Sequence, residues 1–203
     1  MFSNRTAGVD MRIIAGEARG VRLRSVPGLE VRPTTDRIKE SLFQIIGPWF
    51  DGGLVLDLFA GTGSLGLEAL SRGAERAVFT DRSRASVETI RHNLKAAGME
   101  GRAEVYRRDA RAALRTLARR KKTFRYIFLD PPYKEAILPG VLQAIAENDL
   151  LEPEGIIVAE HGVDRELEPV YRRLVRVRNL VYGDTVIDLY TLLPENPTGG
   201  GNF

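Results

Sequence analysis

Cysteine does not occur anywhere in the 203-residue chain. Its absence removes disulfides, thiolate metal sites and thiol nucleophiles together, and is compatible with a reducing compartment such as the cytoplasm, where we place the protein. Histidine occurs only as His92 and His161, so no metal centre is expected. No uninterrupted apolar run approaches the roughly 20 residues that span a bilayer. The opening MFSNRTAGVD has no apolar core of the kind a signal peptide carries, so no membrane partner is expected either.

What is present suffices for one sizeable domain and a small appendage: 43% of residues are hydrophobic and 28% charged. Residues 1–10 precede a second methionine, Met11, and read as a disordered leader. Residues 195–203, rich in Gly, Pro and Asn, read as a disordered tail. The net charge of +3 decides little, but its distribution is uneven. Arg12, Arg19, Arg22, Arg24, Arg32, Arg37 and Lys39 crowd the N-terminal fifth. Arg111, Arg115, Arg119, Arg120, Lys121, Lys122 and Arg125 form a second cluster. Two such clusters favour a polyanionic partner.

Residues 11–50 divide into a basic β-hairpin, MRIIAGEARGVRLRSV, and a helix over DRIKESLFQII with Thr35 or Asp36 as its N-cap and Gly47-Pro48 as its stop. From residue 51 to 194 strand and helix alternate. LVLDLFA, RAVFTD, AEVYRRD, FRYIFLDPPY and GIIVAEHG are the strands, with SLGLEALSRGA, SRASVETIRHNLKAAGM, ARAALRTLARRK and LPGVLQAIAENDLL as helices between them. LVRVRNLVYG and TVIDLYTLL flank Gly183-Asp184 as a closing hairpin. The alternation predicts an α/β fold, a mostly parallel sheet covered by helices with an antiparallel C-terminal edge hairpin. In such a sheet the ligand sits beyond the carboxyl ends of the strands. The 59–63 loop, Asp81, Asp109 and the Asp130–Tyr133 turn should therefore share one cleft.

Gly61, Gly63 and Gly66 match the G-x-G-x-x-G spacing of dinucleotide loops, which would seat phosphates at the following helix N-terminus. Asp57, inside the apolar run just before them, argues against that: a carboxylate there repels a pyrophosphate and suits a ligand carrying an ammonium group. Asp81 can accept hydrogen bonds from both hydroxyls of a ribose or cap the next helix. Asp109 can meet an adenine amino group or serve as a cap. DPPY, Asp130 to Tyr133, has a carboxylate, two prolines that leave carbonyl acceptors without N–H donors, and an aromatic ring. That set suits a planar heterocycle bearing an exocyclic amine, its hydrogens taken by Asp130 and the Pro131 carbonyl and its ring stacked on Tyr133. The plain alternative is a proline-rich turn with a packed tyrosine. An NAD-dependent oxidoreductase built on the three glycines leaves DPPY unexplained; a nucleic-acid-binding protein without catalysis is a further alternative.

DLFAGTG, the acidic strand ends and DPPY resemble the class I S-adenosylmethionine-dependent methyltransferases that modify exocyclic amino groups of nucleic acids. RIIAGEARGVRLRSVPG, RPTTDRIKESLFQII, LGLEALSRGA and YGDTVIDLY extend the likeness over residues 12 to about 193, to the RsmD-type guanine-N2 methyltransferases of small-subunit (16S) ribosomal RNA. The resemblance implies a Rossmann-like domain over 51–194 and an RNA-binding extension over 11–50. It implies S-adenosyl-L-methionine as cofactor, with its methionine moiety against Asp57, Phe59, Ala60, Gly61 and Gly63, its ribose on Asp81 beside Arg82, and adenine near Asp109 and Ala110. Asp130, Pro131, Pro132 and Tyr133 would be catalytic, with Tyr133 standing where phenylalanine is common. Arg19, Arg22, Arg24, Arg32 and Arg37 would hold phosphates of ribosomal RNA, within a small-subunit assembly intermediate, and the enzyme would act as a monomer. A DNA adenine-N6 or cytosine-N4 methyltransferase would use the same turn.

Overall fold

A computed structural model describes residues 11–28, 36–132 and 136–194. The readings of residues 1–10 and 195–203, of Thr35 as a cap and of the segment around Arg32 lie outside them. The apolar runs form strands β1 Leu54–Asp57, β2 Arg76–Asp81, β3 Ala103–Arg107, β4 Phe124–Leu129 and β5 Leu151–Gly162. Between them lie α2 Ser64–Ser71, α3 Arg84–Ala97, α4 Ala110–Arg119 and α5 Leu138–Glu147, and α1 Asp36–Ile46 precedes β1. The chain closes with β6 Val170–Tyr171, β7 Leu174–Tyr182 and β8 Thr185–Leu192.

All eight strands join one sheet in the order β3-β2-β1-β4-β5-β8-β7-β6. The first five run parallel; β8 pairs antiparallel with β5, and β7 with β8. The expected closing hairpin is therefore present, and its second strand is the one inserted beside β5. The strand order reverses between β1 and β4, the topological switch point at which such sheets open a crevice.

Alternation along the strands divides the interior in two. Val55, Phe79, Tyr126 and Phe128 face one core with α1, α2 and α3; Leu56, Val78, Ile127 and Leu129 face the other with α4 and α5. Both faces are covered, which is why the parallel strands are nearly continuous in apolar residues.

The N-terminal segment differs from the expected hairpin. Among its described residues only Arg12 and Arg22 form a β-bridge, flanked by bonds from Ile13 N–H to the Val21 carbonyl (3.0 Å) and from Leu23 N–H to the Met11 carbonyl (2.7 Å). The intervening backbone is drawn away to α2. Glu68 accepts the Ile14 N–H at Oε2 (2.8 Å) and the Ala15 N–H at Oε1 (3.0 Å). Ser71 Oγ accepts the Ala18 N–H (3.0 Å) and donates to the Ala15 carbonyl (2.6 Å). Gly16, at φ 89°, passes so close that an added Cβ would fall 1.8 Å from the Ser71 carbonyl oxygen. No side chain fits there.

Glu68 itself is wholly buried, and its charge is met by two cations. Arg72 Nε donates to Oε1 at 2.8 Å, and Lys39 Nζ lies 3.5 Å from Oε2. Lys39, 2% exposed, also donates to the Arg12 carbonyl (2.6 Å) and to Ser64 Oγ (3.3 Å). Burial lowers the Lys39 pKa, opposed by Glu68 and Asp36. Arg72 reaches the Pro48 carbonyl (3.0 Å) and lies 4.7 Å over the Phe43 ring. Lys39 therefore leaves the basic surface to which its neighbours in sequence assign it: its helical spacing to Leu42, Phe43 and Ile46 puts it on the buried face of α1, and it reaches α2 through Glu68 and Ser64.

Glu68→Gln keeps the side-chain shape while removing the charge that Lys39 and Arg72 face. It should lower the unfolding free energy by about 3–5 kcal/mol, the range for breaking a buried ion pair. Arg12→Ala, which removes an exposed 3.0 Å pair with Asp36, should cost at most about 1 kcal/mol. Urea denaturation of the two variants compares them directly, and equal small losses would contradict the anchoring role of Glu68.

Candidate active site

The carboxyl ends of β1, β2 and β4 bring the acidic residues together. Asp57 closes β1 and pairs in register with Phe128 of β4, so Asp130 stands two residues beyond on the neighbouring strand. Asp57 is buried, and its Oδ2 accepts the Gly66 N–H in the first turn of α2 (3.0 Å). Gly66 is required by packing: an added Cβ would lie 2.3 Å from Phe79 Cε1. Burial raises the Asp57 pKa to about 7, opposed by the Gly66 bond and reinforced by Asp81. A pyrophosphate would need the helix donor that Asp57 already holds, and would meet an acidic group there.

The loop after β1 is tied down from several sides. Ala60 N–H donates to the Thr80 carbonyl (3.0 Å), and Gly63 N–H to the Ala60 carbonyl (2.6 Å). Thr80 Oγ1 donates to the Leu58 carbonyl (2.6 Å). Gly61 and Gly63 adopt φ of 55° and 79°. Phe59 is partly buried and Ala60 buried. Asn93 of α3, fully buried, donates to the Thr62 carbonyl (2.9 Å) and the Arg24 carbonyl (3.1 Å) and accepts the Arg24 N–H (2.7 Å). It joins the loop to the N-terminal segment. Sequence reasoning passed over Asn93, since a lone polar residue in a helical pattern looks like surface.

Asp81 ends β2 and accepts the Gly61 N–H at Oδ2 (2.9 Å) and the Ser83 N–H at Oδ1 (2.8 Å). It braces the loop, and the cap of α3 is Ser83. Each of its oxygens retains a second acceptor site. Arg82 follows at the strand end and its carbonyl accepts from Arg107 Nε (3.2 Å). Asp109 caps α4 through Oδ1, which accepts from Arg111 N (3.0 Å) and Ala112 N (3.4 Å); Ala110 is the buried first residue of that helix.

Asp130 is partly buried and Pro131 buried, while Pro132 is exposed; Tyr133 lies outside the described residues. The Asp130 pKa is raised well above the usual carboxylate range by desolvation, then by the charges of Glu160 and Asp57. Glu160, near the end of β5, has no motif around it and was not found from sequence. It lines a cavity of about 140 Å³ beside the turn, together with Pro131, Leu138, His161 and Leu167. Behind it, His161 sets Nδ1 against the Gly162 carbonyl (2.9 Å) and Nε2 against Asp188 Oδ2 (3.3 Å). Both partners are acceptors when Asp188 is ionised, so a proton on either ring nitrogen has an oxygen to receive it. Although burial opposes it, the pKa of His161 is raised by these bonds. Arg176 (3.0 Å) and Asn179 (2.7 Å) complete the coordination of Asp188.

Of the basic residues, Arg19, Arg22, Arg24 and Arg37 are exposed; Arg32 is outside the described residues. The second cluster divides. Arg111 and Arg115 lie exposed on α4, whereas Lys122 pairs with Glu104 (2.7 Å) and Arg125 with Glu154 (3.3 Å) near the opposite ends of the strands. Among the described residues no group of three or more His, Asp or Glu is arranged to hold a metal ion, and no helix is long and apolar enough to cross a membrane.

A parallel sheet with an antiparallel end, opened at its switch point by an acidic strand end, a glycine loop and a DPP turn, is the architecture of a class I methyltransferase. Residues 11–191 match the family described as "Conserved hypothetical protein 95". YlbH of Bacillus subtilis (strain 168) is 49% identical over 180 residues, covering 89% of this chain and 98% of that protein. "Ribosomal RNA small subunit methyltransferase D" of Escherichia coli (strain K12) is 34% identical over 187 residues, 92% of each chain. The chain belongs to this RsmD family. Among solved structures, Escherichia coli yhhF superposes with a TM-score of 0.77 at 33% identity over 90% of this chain and 98% of that one. SMU.776, solved in complex with SAH, shares the fold at 14% identity and a TM-score of 0.64, over 76% of this chain and 49% of that one.

The elevated Asp57 pKa has a consequence for stability. Below about pH 4 folded and unfolded chains both hold the proton; between pH 4 and 7 only the folded chain keeps it, so stability falls as pH rises. For a shift from 3.8 to about 7 the decline is on the order of 4 kcal/mol. Asp57→Asn keeps an oxygen for the Gly66 N–H and should flatten that decline. Thermal denaturation across this range should show the variant gaining on the parent chain; parallel profiles would mean that Asp57 is ionised throughout.

Proposed function

We propose that the protein transfers a methyl group from S-adenosyl-L-methionine to the exocyclic N2 of a guanine in small-subunit ribosomal RNA. The observation that carries this reading is the position of the Asp130–Pro132 turn, directly across the switch point from the Asp57–Gly63 loop. One side of the crevice can hold a methyl donor while the other presents acceptors to an amine. The family relatives named as small-subunit ribosomal RNA methyltransferases support the same substrate.

The residues present fit the donor. Asp57 makes the α2 end hostile to phosphate and hospitable to the ammonium of a methionine moiety, alongside Phe59, Ala60, Gly61 and Gly63. Asp81, with Arg82 adjacent, offers acceptor capacity to ribose hydroxyls, and Asp109 caps α4 with Oδ1 alone, beside Ala110, where adenine would lie. S-adenosylmethionine supplies an electrophilic methyl group on a positively charged sulfur. Asp130 and the Pro131 carbonyl accept the two amine hydrogens, drawing the nitrogen toward a pyramidal, more nucleophilic geometry and stabilising the charge that develops on it. As the new N–C bond formed, the methyl group's bond to sulfur would break, leaving the neutral thioether S-adenosylhomocysteine, and the amine would release one proton, which Asp130 in its carboxylate form would take up. Pro132 stiffens the turn, and Tyr133 supplies the stacking ring. Much of the remaining acceleration comes from holding amine and methyl in line.

A stacked base cannot reach this crevice, so the guanine is extruded or already unpaired. Residues 11–50 act as the RNA-binding extension, with Arg19, Arg22, Arg24, Arg32 and Arg37 on phosphates. The protein works as a monomer on a small-subunit assembly intermediate in the cytoplasm. Replacing Arg24 and Arg37 together by Ala should weaken RNA binding uniformly across sequences and reduce the slope of log K against log salt by about 2. A fluorescence titration at several salt concentrations measures that slope, and an unchanged value would remove both from the interface.

Incubation with labelled S-adenosylmethionine and undermethylated small-subunit particles, free ribosomal RNA or DNA tests the reaction itself. Label should enter ribosomal RNA as N2-methylguanine, and transfer confined to DNA would overturn the proposal in favour of an adenine-N6 or cytosine-N4 enzyme. Asp130→Ala should lose about 100- to 1,000-fold in turnover while S-adenosylhomocysteine binding, followed by calorimetry, stays intact.

A further inference from the structure

The turn alone explains how an amine is held but not why the base is guanine. β4 and β5 run parallel with Leu129 opposite Ala159, so the next residues, Asp130 and Glu160, emerge opposite one another on neighbouring strands. Side chains at matching positions of adjacent strands point to the same side of a sheet. Glu160 is 6% exposed and forms part of the wall of the cavity that Pro131 also lines. The end of β5 is fixed from behind by the His161–Asp188–Arg176 chain, which holds Glu160 at the cavity.

A guanine presenting N2 to Asp130 presents N1–H immediately beside it, because the two groups are adjacent on the Watson–Crick edge. Adenine has a bare acceptor at N1. An ionised carboxylate only accepts, so it welcomes the first edge and repels the second. We propose that Glu160 is the specificity-determining residue of this site, accepting the N1–H of the target guanine next to the amine held by Asp130. The inference rests on the guanine-N2 reading above and names the group that enforces it. Pro131 and Leu138 line the cavity beside Glu160, and Asp130 immediately precedes Pro131 at its edge.

The test uses small-subunit particles reconstituted with 16S ribosomal RNA. The target guanine, first located by mass spectrometry of the product, is replaced in a ligated transcript by 2-aminopurine, which keeps the exocyclic amine but has a bare N1. The parent enzyme should prefer guanine by about 10- to 100-fold in kcat/KM, the worth of a hydrogen bond to a charged group. Glu160→Gln should lose most of that preference, falling on guanine and holding or gaining on 2-aminopurine, so that the ratio approaches one. Equal losses on both substrates would show a merely structural role and overturn the proposal, as would a variant that leaves the ratio unchanged. Equal methylation of both bases by the parent enzyme overturns it without any variant. Absence of transfer to guanine N2 by the parent enzyme is a separate result, and it refutes the underlying function instead.

Discussion

One buried carboxylate, Glu68, holds the N-terminal segment, α1 and α2 in a single arrangement. It is wholly enclosed and receives two backbone N–H groups from residues 14 and 15 and charge from Lys39 and Arg72. An ionised group in such a place is tolerable only when its lone pairs and charge are fully met. The requirement runs both ways. Lys39 must leave the surface, the expected hairpin must give up most of its pairing, and Gly16 must stay without a side chain. Among the described residues no buried side-chain nitrogen or oxygen lacks a hydrogen-bond partner, so the polar interior is closed around this point.

That closure reaches the crevice. Lys39 also touches Ser64 at the start of α2, and Asp57 holds the same helix through Gly66. Asn93 then connects the Arg24 backbone to the Thr62 carbonyl. The N-terminal segment that carries Arg19, Arg22 and Arg24 and the β1–α2 loop are thus braced by the same few contacts.

At the switch point acidity is concentrated rather than avoided. Desolvation first, and then the charges of Glu160 and Asp57, raise the proton affinity of Asp130. Such crowding disfavours an anionic ligand and favours a cationic donor beside a base with several N–H groups. The glycine spacing of the β1–α2 loop, read alone, suggests the opposite preference. The carboxylate that occupies its helix donor reverses it.

The strand and helix order, the closing hairpin and the crowding of acidic strand ends were legible from the chain because they depend on local periodicity and on a general rule for parallel sheets. The DPP turn was legible because prolines restrict the backbone wherever they occur. Lys39, Asn93 and Glu160 were not. Each is a single polar residue whose meaning depends on partners 29 to 69 positions away or on a neighbouring strand. Lys39 looks solvated until Glu68 is placed beneath it, and Asp109 looks equally suited to a ligand and a cap until α4 is built upon it. By itself the sequence determined the layered fold and the end of the sheet at which chemistry would sit, since both follow from short-range pattern and strand direction. Tertiary structure alone decided which charges are buried and which acid stands beside Asp130, because electrostatic roles are set by distance and desolvation, and neither exists until the chain has closed.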